Sequence, residues 1–153
     1  MVYVGVPVLA LLVIRENREF GLIYTLWTLA LVWMCDIGAY FAGKYIGGPK
    51  LAPTISPNKT WAGLIGGIAL ATAFGWFLHW QYGLAVRLTL ATPFLALLAQ
   101  GGDLFESWLK RRAGRKDSGA LFPGHGGVLD RLDGLLAVSI VTTLLLMAGF
   151  WTG

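Results

Sequence analysis

Charged residues are scarce in this chain. Of its 153 residues only 13% are Asp, Glu, Lys or Arg, whereas 56% are hydrophobic; soluble domains carry charge at about 25% of positions. With a single cysteine, Cys35, an internal disulfide is excluded and a metal site built from several thiolates is implausible. The shortage of charge argues against an ordinary soluble domain and indicates an integral membrane protein.

Long apolar runs take the place of charge. A helix needs about 20 apolar residues to cross the roughly 30 Å hydrocarbon layer of a membrane. We therefore predict an all-α integral membrane protein with about five transmembrane helices, the first of them short. The predicted segments are Met1 to Ile14, Phe20 to about Tyr45, Ala62 to Trp80, Gly83 to about Gln100, and Leu135 to Trp151. Gly63, Gly66 and Gly67 lie where a close helix crossing requires small residues.

Two loops between these segments are rich in basic residues. The first, around Lys44, Lys50 and Lys59, has no acid, and the second, from Gly101 to Asp133, is dense in Lys and Arg. The positive-inside rule places such loops in the cytoplasm. Because two segments separate these loops, both can face the same side, and we expect the catalytic loops at the cytoplasmic face.

Acidic residues recur at a three-residue spacing near two predicted helix ends. In DRLDG, Asp130 and Asp133 share one helix face, and Asp103 and Glu106 repeat the spacing at the end of the fourth segment. If the two ends pack together, Asp103, Asp130 and Asp133 converge on a hard cation such as Mg²⁺, which prefers oxygen ligands. The alternative is an interfacial network of salt bridges with the nearby basic residues.

A cluster of basic residues follows Asp103 and Glu106 in the chain. A cluster containing Lys110, Arg111 and Lys116 suits a phosphate-rich substrate, although it also satisfies the positive-inside rule or attracts anionic lipid heads. FPGHGG, from Phe122 to Gly127, then predicts a glycine-rich turn whose backbone can approach an anion closely. His125 in that turn either donates to a phosphate or bonds to the backbone.

The stretch SPNKTWAG contributes a second candidate region. Ser56, Asn58 and Lys59 are predicted in a loop before the third segment, where they can meet a nucleotide or lipid phosphate. Thr60 reads equally well as a plain helix N-cap. Asp36, inside a long apolar segment, is a functional candidate because charge at that depth is costly, with Lys44 or Lys59 as its possible partner.

These motifs together resemble the phosphatidate cytidylyltransferase family, also called CDP-diacylglycerol synthases. The stretches DIGAYFAGKYIGGPKLAPTISPNKTWAG and QGGDLFES match the family in order. The third stretch carries the family signature at Ser107, Lys110, Arg111, Lys116, Asp117, Gly119, Pro123, His125, Gly126, Gly127, Asp130, Arg131 and Asp133. The resemblance covers most of the chain.

The resemblance implies a polytopic enzyme of phospholipid biosynthesis, in the bacterial inner membrane with its active site on the cytoplasmic side. Its reaction is CTP plus phosphatidate giving CDP-diacylglycerol and pyrophosphate, with Mg²⁺ required and a second cation left open. Its partners would be CTP, phosphatidate, membrane lipids and a second copy as a homodimer, with no nucleic acid.

Site residues follow from the same resemblance and from the residue chemistry above. Asp103, Asp130 and Asp133 are expected to bind the metal. The catalytic set also includes Lys116 and His125. The expected substrate-binding set is Ser56, Asn58, Lys59, Ser107, Lys110, Arg111, Asp117, Gly126, Gly127 and Arg131.

One feature departs from the family pattern. Members usually have several more N-terminal helices, so we expect residues 1–153 to be a single transmembrane catalytic domain corresponding to the C-terminal part of the family. The alternatives are a CTP-dependent lipid-alcohol kinase, which would transfer the γ-phosphate and release CDP, and a non-catalytic membrane fragment.

Overall fold

Five helices and one short hairpin make up the described part of the chain. The computed structural model describes residues 2–16, 20–112 and 133–150. In chain order the elements are α1 (Val2–Arg15), α2 (Gly21–Tyr45), β1 (Lys50–Ala52), β2 (Ser56–Thr60), α3 (Trp61–Tyr82), α4 (Val86–Arg112) and α5 (Asp133–Met147). The predicted five-helix, all-α membrane architecture is confirmed, with a two-stranded hairpin added to it.

Within the described residues, three helices are long and apolar enough to cross a membrane. These are α2, α3 and α4, with 25, 22 and 27 residues, whereas α1 and α5 are shorter apolar helices. At 1.5 Å per residue α4 is about 40 Å long, so it exceeds a hydrocarbon layer of about 30 Å. The sequence predicted an end near Gln100, but α4 continues to Arg112 because no Pro interrupts this stretch and Glu106 pairs with Lys110 one turn later.

Helices α2 and α3 run antiparallel and touch through glycine backbone. A Cβ on Gly66 would lie 2.3 Å from the Cβ of Ala42, and one on Gly67 would lie 2.6 Å from the Cys35 carbonyl oxygen. On the opposite helix, a Cβ on Gly38 would lie 2.5 Å from the Gly66 carbonyl oxygen. The close crossing predicted from these small residues is confirmed.

The remaining helices pack around this pair. The N-terminus of α5 lies against α4, since a Cβ on Gly134 would meet the Ala99 carbonyl oxygen at 3.2 Å. Further along α5, the Thr143 hydroxyl donates to the Ala10 carbonyl of α1 at 3.2 Å. Trp27 and Leu88 are fully buried between the helices. All of α1, α2, α4 and α5 therefore share one core.

The hairpin fills the connection between α2 and α3. Gly47 and Gly48 take positive φ values of 65° and 91° just after α2, a conformation that glycine adopts without a steric penalty. The antiparallel strands then pair Lys50 with Thr60 and turn at a segment where the Ile55 amide donates to the Ala52 carbonyl at 3.1 Å. The sequence predicted a loop before α3, whereas residues 56–60 pair back onto β1; Pro57 is tolerated in β2 because a two-stranded hairpin has an unpaired edge on each strand.

Candidate active site

A cavity of about 470 Å³ lies where α2 ends, α3 begins and the polar part of α4 starts. Its wall combines acidic, basic and amide side chains with small residues of the α2–α3 crossing. The lining residues are Asp36, Ala39, Tyr40, Gly43, Lys44, Leu51, Asn58, Lys59, Thr60, Gly63, Leu64, Gln100 and Asp103. The cavity therefore joins three of the regions selected from the sequence.

Lys59 is at the centre of the polar contacts. It extends from β2 towards α4, where its ammonium forms an ion pair with the Asp103 carboxylate. The same Nζ lies 3.2 Å from Oε1 of Gln100 and 3.5 Å from the Gln100 carbonyl oxygen. The Lys59 side chain is only 18% exposed, and that of Asp103 is 33% exposed. The hairpin is thus connected to α4 by a largely shielded charge pair.

Asp36 faces the same cavity from α2. Lys44 and Lys59, the two partners considered from the sequence, both line this cavity with it. Within the described part of the chain Asp36 forms no ion pair, because Lys59 pairs with Asp103 and Nζ of Lys44 lies 3.4 Å from the Tyr40 hydroxyl. Two carboxylates and two ammonium groups therefore face one polar space in the membrane-spanning bundle.

The predicted residues on the last turns of α4 lie at increasing distance along the helix from the cavity. The Ser107 hydroxyl donates to Asp103 Oδ1 at 3.5 Å. Lys110 pairs with Glu106 at 3.4 Å, and the Arg111 guanidinium donates through Nε to the Ile55 carbonyl of the hairpin turn at 3.4 Å. Arg111 is exposed, so its charge is available at the edge of the bundle.

The predicted loop between α4 and α5 is not described. Lys116, Asp117, His125, Gly126, Gly127, Asp130 and Arg131 lie outside the described residues, as does the side chain of Asp133. Among residues 2–16, 20–112 and 133–150, no three His, Cys, Asp or Glu side chains form a group that could hold a metal ion. The structure does place the start of α5 beside α4, with Gly134 packed on Ala99. The predicted convergence of Asp103, Asp130 and Asp133 required such packing between the two helices, and it stays a prediction.

The second predicted region is a strand and not a loop. Ser56, Asn58 and Lys59 all lie in β2, because the chain pairs back onto β1. Asn58 and Lys59 line the cavity, whereas Ser56 does not. The N-cap prediction for Thr60 is confirmed, since its hydroxyl accepts from the Gly63 amide at 3.0 Å. Thr60 also lines the cavity, so capping and site lining coexist at this position.

Sequence reasoning missed Gln100, the amide that contacts Lys59. It is the last residue of the apolar run of α4 and is 5% exposed. Its position three residues before Asp103 places both side chains on one helix face, which is the signal that could have selected it. Tyr40 was also missed, because an aromatic residue in an apolar helix carries no such signal.

Sequence comparison places the chain among known proteins. A model of the cytidylyltransferase family matches residues 1–148. A phosphatidate cytidylyltransferase of Brucella suis biovar 1 (strain 1330) is 47% identical over 152 residues, covering 93% of this chain and 53% of the relative. Phosphatidate cytidylyltransferases of Bacillus subtilis (strain 168) and Staphylococcus aureus (strain COL) are 43% and 42% identical, covering 90% and 95% of this chain. The chain spans about half the length of these relatives.

Proposed function

This chain belongs to the cytidylyltransferase family, and on that premise we propose that it carries the catalytic part of a phosphatidate cytidylyltransferase. It would transfer the cytidylyl group of CTP to phosphatidate, giving CDP-diacylglycerol and pyrophosphate. The observation that carries the proposal is 47% identity over 152 residues to a relative with that name. A polar cavity at the end of membrane-spanning helices suits a reaction between a lipid and a soluble nucleotide.

The reaction needs no nucleophile from the protein. A phosphate oxygen of phosphatidate attacks the α-phosphorus of CTP, and the bond from that phosphorus to the bridging oxygen of the β-phosphate breaks. The electron pair leaves with pyrophosphate. Catalysis then consists of holding two anionic reactants in line and stabilising their charge. Lys59 in the cavity wall is the described cation best placed to meet a substrate phosphate, because its ammonium is shielded from water.

Acidic residues of the cavity fit a divalent cation. Asp103 and Asp36 offer carboxylate oxygens to one space, and oxygen is the ligand class that Mg²⁺ prefers. We assign Asp103, together with Asp130 and Asp133, to the metal. A bound Mg²⁺ supplies charge neutralisation on phosphate oxygens. Lys59 pairs with Asp103, so this ion pair would have to rearrange if a substrate phosphate and a cation bound there.

Other polar residues are assigned to the substrates. Lys110 and Arg111 on the last turns of α4 would bind the triphosphate or the lipid phosphate, and Asn58 and Ser107 would complete the polar wall. Ser56 lies in the same strand as Lys59. From the segment between α4 and α5 we add residues on sequence grounds alone. They are Lys116, Asp117, His125, Gly126, Gly127 and Arg131.

The cellular setting follows from topology and family. Three helices able to span a membrane and bacterial relatives support an inner-membrane protein. We place the cavity on the cytoplasmic side, where CTP is available, because the loops around Lys59 and after Gly101 are basic. A homodimer is proposed from family resemblance.

A single assay tests the proposal. The purified chain in detergent micelles is given phosphatidate, Mg²⁺ and CTP labelled at the α-phosphate, and both lipid-soluble label and pyrophosphate are measured. We expect equal amounts of CDP-diacylglycerol and pyrophosphate, with loss of both in Asp103→Asn. Glu16→Gln, a matched removal of one acid outside the cavity lining, should leave the rate unchanged. Label recovered only in CDP would instead indicate a kinase, and no consumption of CTP would contradict the proposal for this chain.

A further inference from the structure

Gln100 forms the wall of the cavity behind Lys59. It lies on α4 one turn before Asp103, is 5% exposed, and contacts residues from two other elements. Its Oε1 is 3.2 Å from Lys59 Nζ in β2, and its Nε2 is 3.5 Å from the Cys35 Sγ in α2. A buried side-chain amide must have partners for both its donor and its acceptor groups, and Gln100 has them.

The chemistry of the partners fixes the direction of this amide. A lysine ammonium only donates hydrogen bonds, so the group that faces Lys59 must be the amide oxygen. The NH₂ group then faces the Cys35 thiol, which accepts from it. The thiol in turn donates to the Ala96 carbonyl at 3.6 Å. The contact with Cys35 of α2 therefore fixes the orientation of the Gln100 amide. A flip of the amide would place its NH₂ group against the Lys59 ammonium, and both groups are donors.

Three acceptors surround the Lys59 ammonium. They are the Asp103 carboxylate, Oε1 of Gln100 at 3.2 Å, and the main-chain oxygen of Gln100 at 3.5 Å. Lysine has three ammonium protons on a flexible stem, and holding that stem in one geometry costs rotamer entropy. Two of the three acceptors belong to Gln100, so this residue provides much of the geometry that keeps the charge at one point.

We propose that Gln100 is a positioning residue, which holds the ammonium of Lys59 at the cavity wall so that it meets a substrate phosphate there. Gln100 shares the lysine charge with Asp103, which leaves that carboxylate less completely neutralised. The effect on turnover rests on the proposed function, whereas the effect on Lys59 itself does not.

Amine labelling tests the positioning directly. The protein in detergent, without substrate, is treated briefly with an amine-reactive acylating reagent, and modification of each lysine is quantified by peptide mass spectrometry. Lys44 and Lys50 are exposed and act as references within the same molecule. In Gln100→Met, which keeps the side-chain length but removes the acceptor, labelling of Lys59 relative to these references should rise about tenfold. An unchanged ratio would overturn the proposal.

Two further variants keep this test decisive. Gln100→Glu retains an acceptor oxygen, so Lys59 should stay protected. Gln100→Asn withdraws the amide by one methylene and should expose Lys59 as Gln100→Met does; if the Met variant does not fold, the Asn variant decides. Gln81→Met, at an exposed glutamine near the end of α3 and outside the cavity lining, is the matched control and should not alter the ratio. Equal labelling of Lys59 in the Glu and Asn variants would also overturn the proposal.

Turnover supplies an independent readout through a double-mutant cycle. Gln100→Met should lower kcat/KM for phosphatidate about tenfold in the wild-type background and should add nothing in a Lys59→Met background. A tenfold loss in both backgrounds would show that Gln100 does not act through Lys59. If the Gln100 variants change the labelling of Lys59 as predicted but the wild-type chain makes no CDP-diacylglycerol, the proposed function fails while the positioning role stands. If the wild-type chain turns over and Gln100→Met changes neither turnover nor the labelling of Lys59, the proposed function stands while the positioning role fails.

Discussion

The α2–α3 crossing can be tested by adding one methyl group. In Gly66→Ala the new Cβ would lie 2.3 Å from the Cβ of Ala42, more than about 1 Å short of the roughly 3.5 Å at which two carbon atoms make contact. Neither atom can rotate away, because both are fixed to helix backbone. The helices must therefore separate, and the packing between them is lost along the crossing.

The expected magnitude follows from measured costs of overpacking. Inserting a methylene-sized group into a packed core costs about 1–3 kcal/mol. For a domain of this size each kcal/mol lowers the melting temperature by about 2–4 °C, so a decrease of roughly 2–12 °C is expected. The assay is thermal unfolding of the purified protein in one detergent at one concentration, followed by the tryptophan signal.

A matched control and a rescue variant make the result interpretable. Gly101→Ala adds the same methyl on α4, where the new Cβ would have no described neighbour within 4 Å apart from its own local backbone, and should leave the stability unchanged or slightly raised. Ala42→Gly combined with Gly66→Ala removes the closest contact and leaves the Gly38 carbonyl oxygen, at 3.1 Å, as the next one. The double variant should be more stable than Gly66→Ala alone. Full stability of Gly66→Ala, or no recovery in the double variant, would refute the close crossing.

Three other substitutions probe the site and its support. Thr60→Ala should lower the free energy of unfolding by about 1 kcal/mol, because the Gly63 amide loses its acceptor, while Thr60→Ser should be near wild type in the same denaturation experiment. Asp103→Asn should lower kcat about 100-fold in the α-labelled CTP assay; a loss below threefold would argue against its proposed metal role. Arg111→Gln should raise the KM for CTP about tenfold, because the proposed charge-assisted contact to phosphate would be lost. A thermal melt indistinguishable from wild type should accompany it, since Arg111 is exposed; a large loss of stability would point to its contact with the Ile55 carbonyl instead.

Much of the fold could be predicted because a membrane imposes one simple rule. Helices must be long and apolar, so Phe20 to Tyr45 and Ala62 to Trp80 predict α2 and α3 to within two residues. The end of α4 was wrong because its last turns lie beyond the apolar run and are held by local helix contacts, which hydropathy does not register. The hairpin was missed because its strands have only three and five residues, and the longer one contains Pro57, so neither shows the alternating pattern that indicates a strand.

The charged residues of the site could be predicted from the sequence, whereas its neutral residues could not. Asp36 and Asp103 were selected because a carboxylate in or near a membrane is costly, and Lys59 because it could meet a phosphate; the structure gathers all three at one cavity. Gln100 was missed because an amide at the end of an apolar run gives no such warning. Its importance depends on a contact between residues 41 positions apart, which only the folded chain creates.

The glycine crossing also determines which genetic changes this protein can accept. Glycine is the smallest residue, so every missense change of a glycine codon adds atoms. At Gly38, Gly63 and Gly67 the first added carbon would lie within 2.5–2.9 Å of a carbonyl oxygen of the facing helix. In a library of single-codon variants these positions should therefore be depleted of all substitutions, including alanine, whereas exposed apolar positions of the same helices, such as Ile65 and Trp33, should accept other apolar residues. In a growth selection, depletion of substitutions at these three codons would identify the helix crossing from sequence data alone.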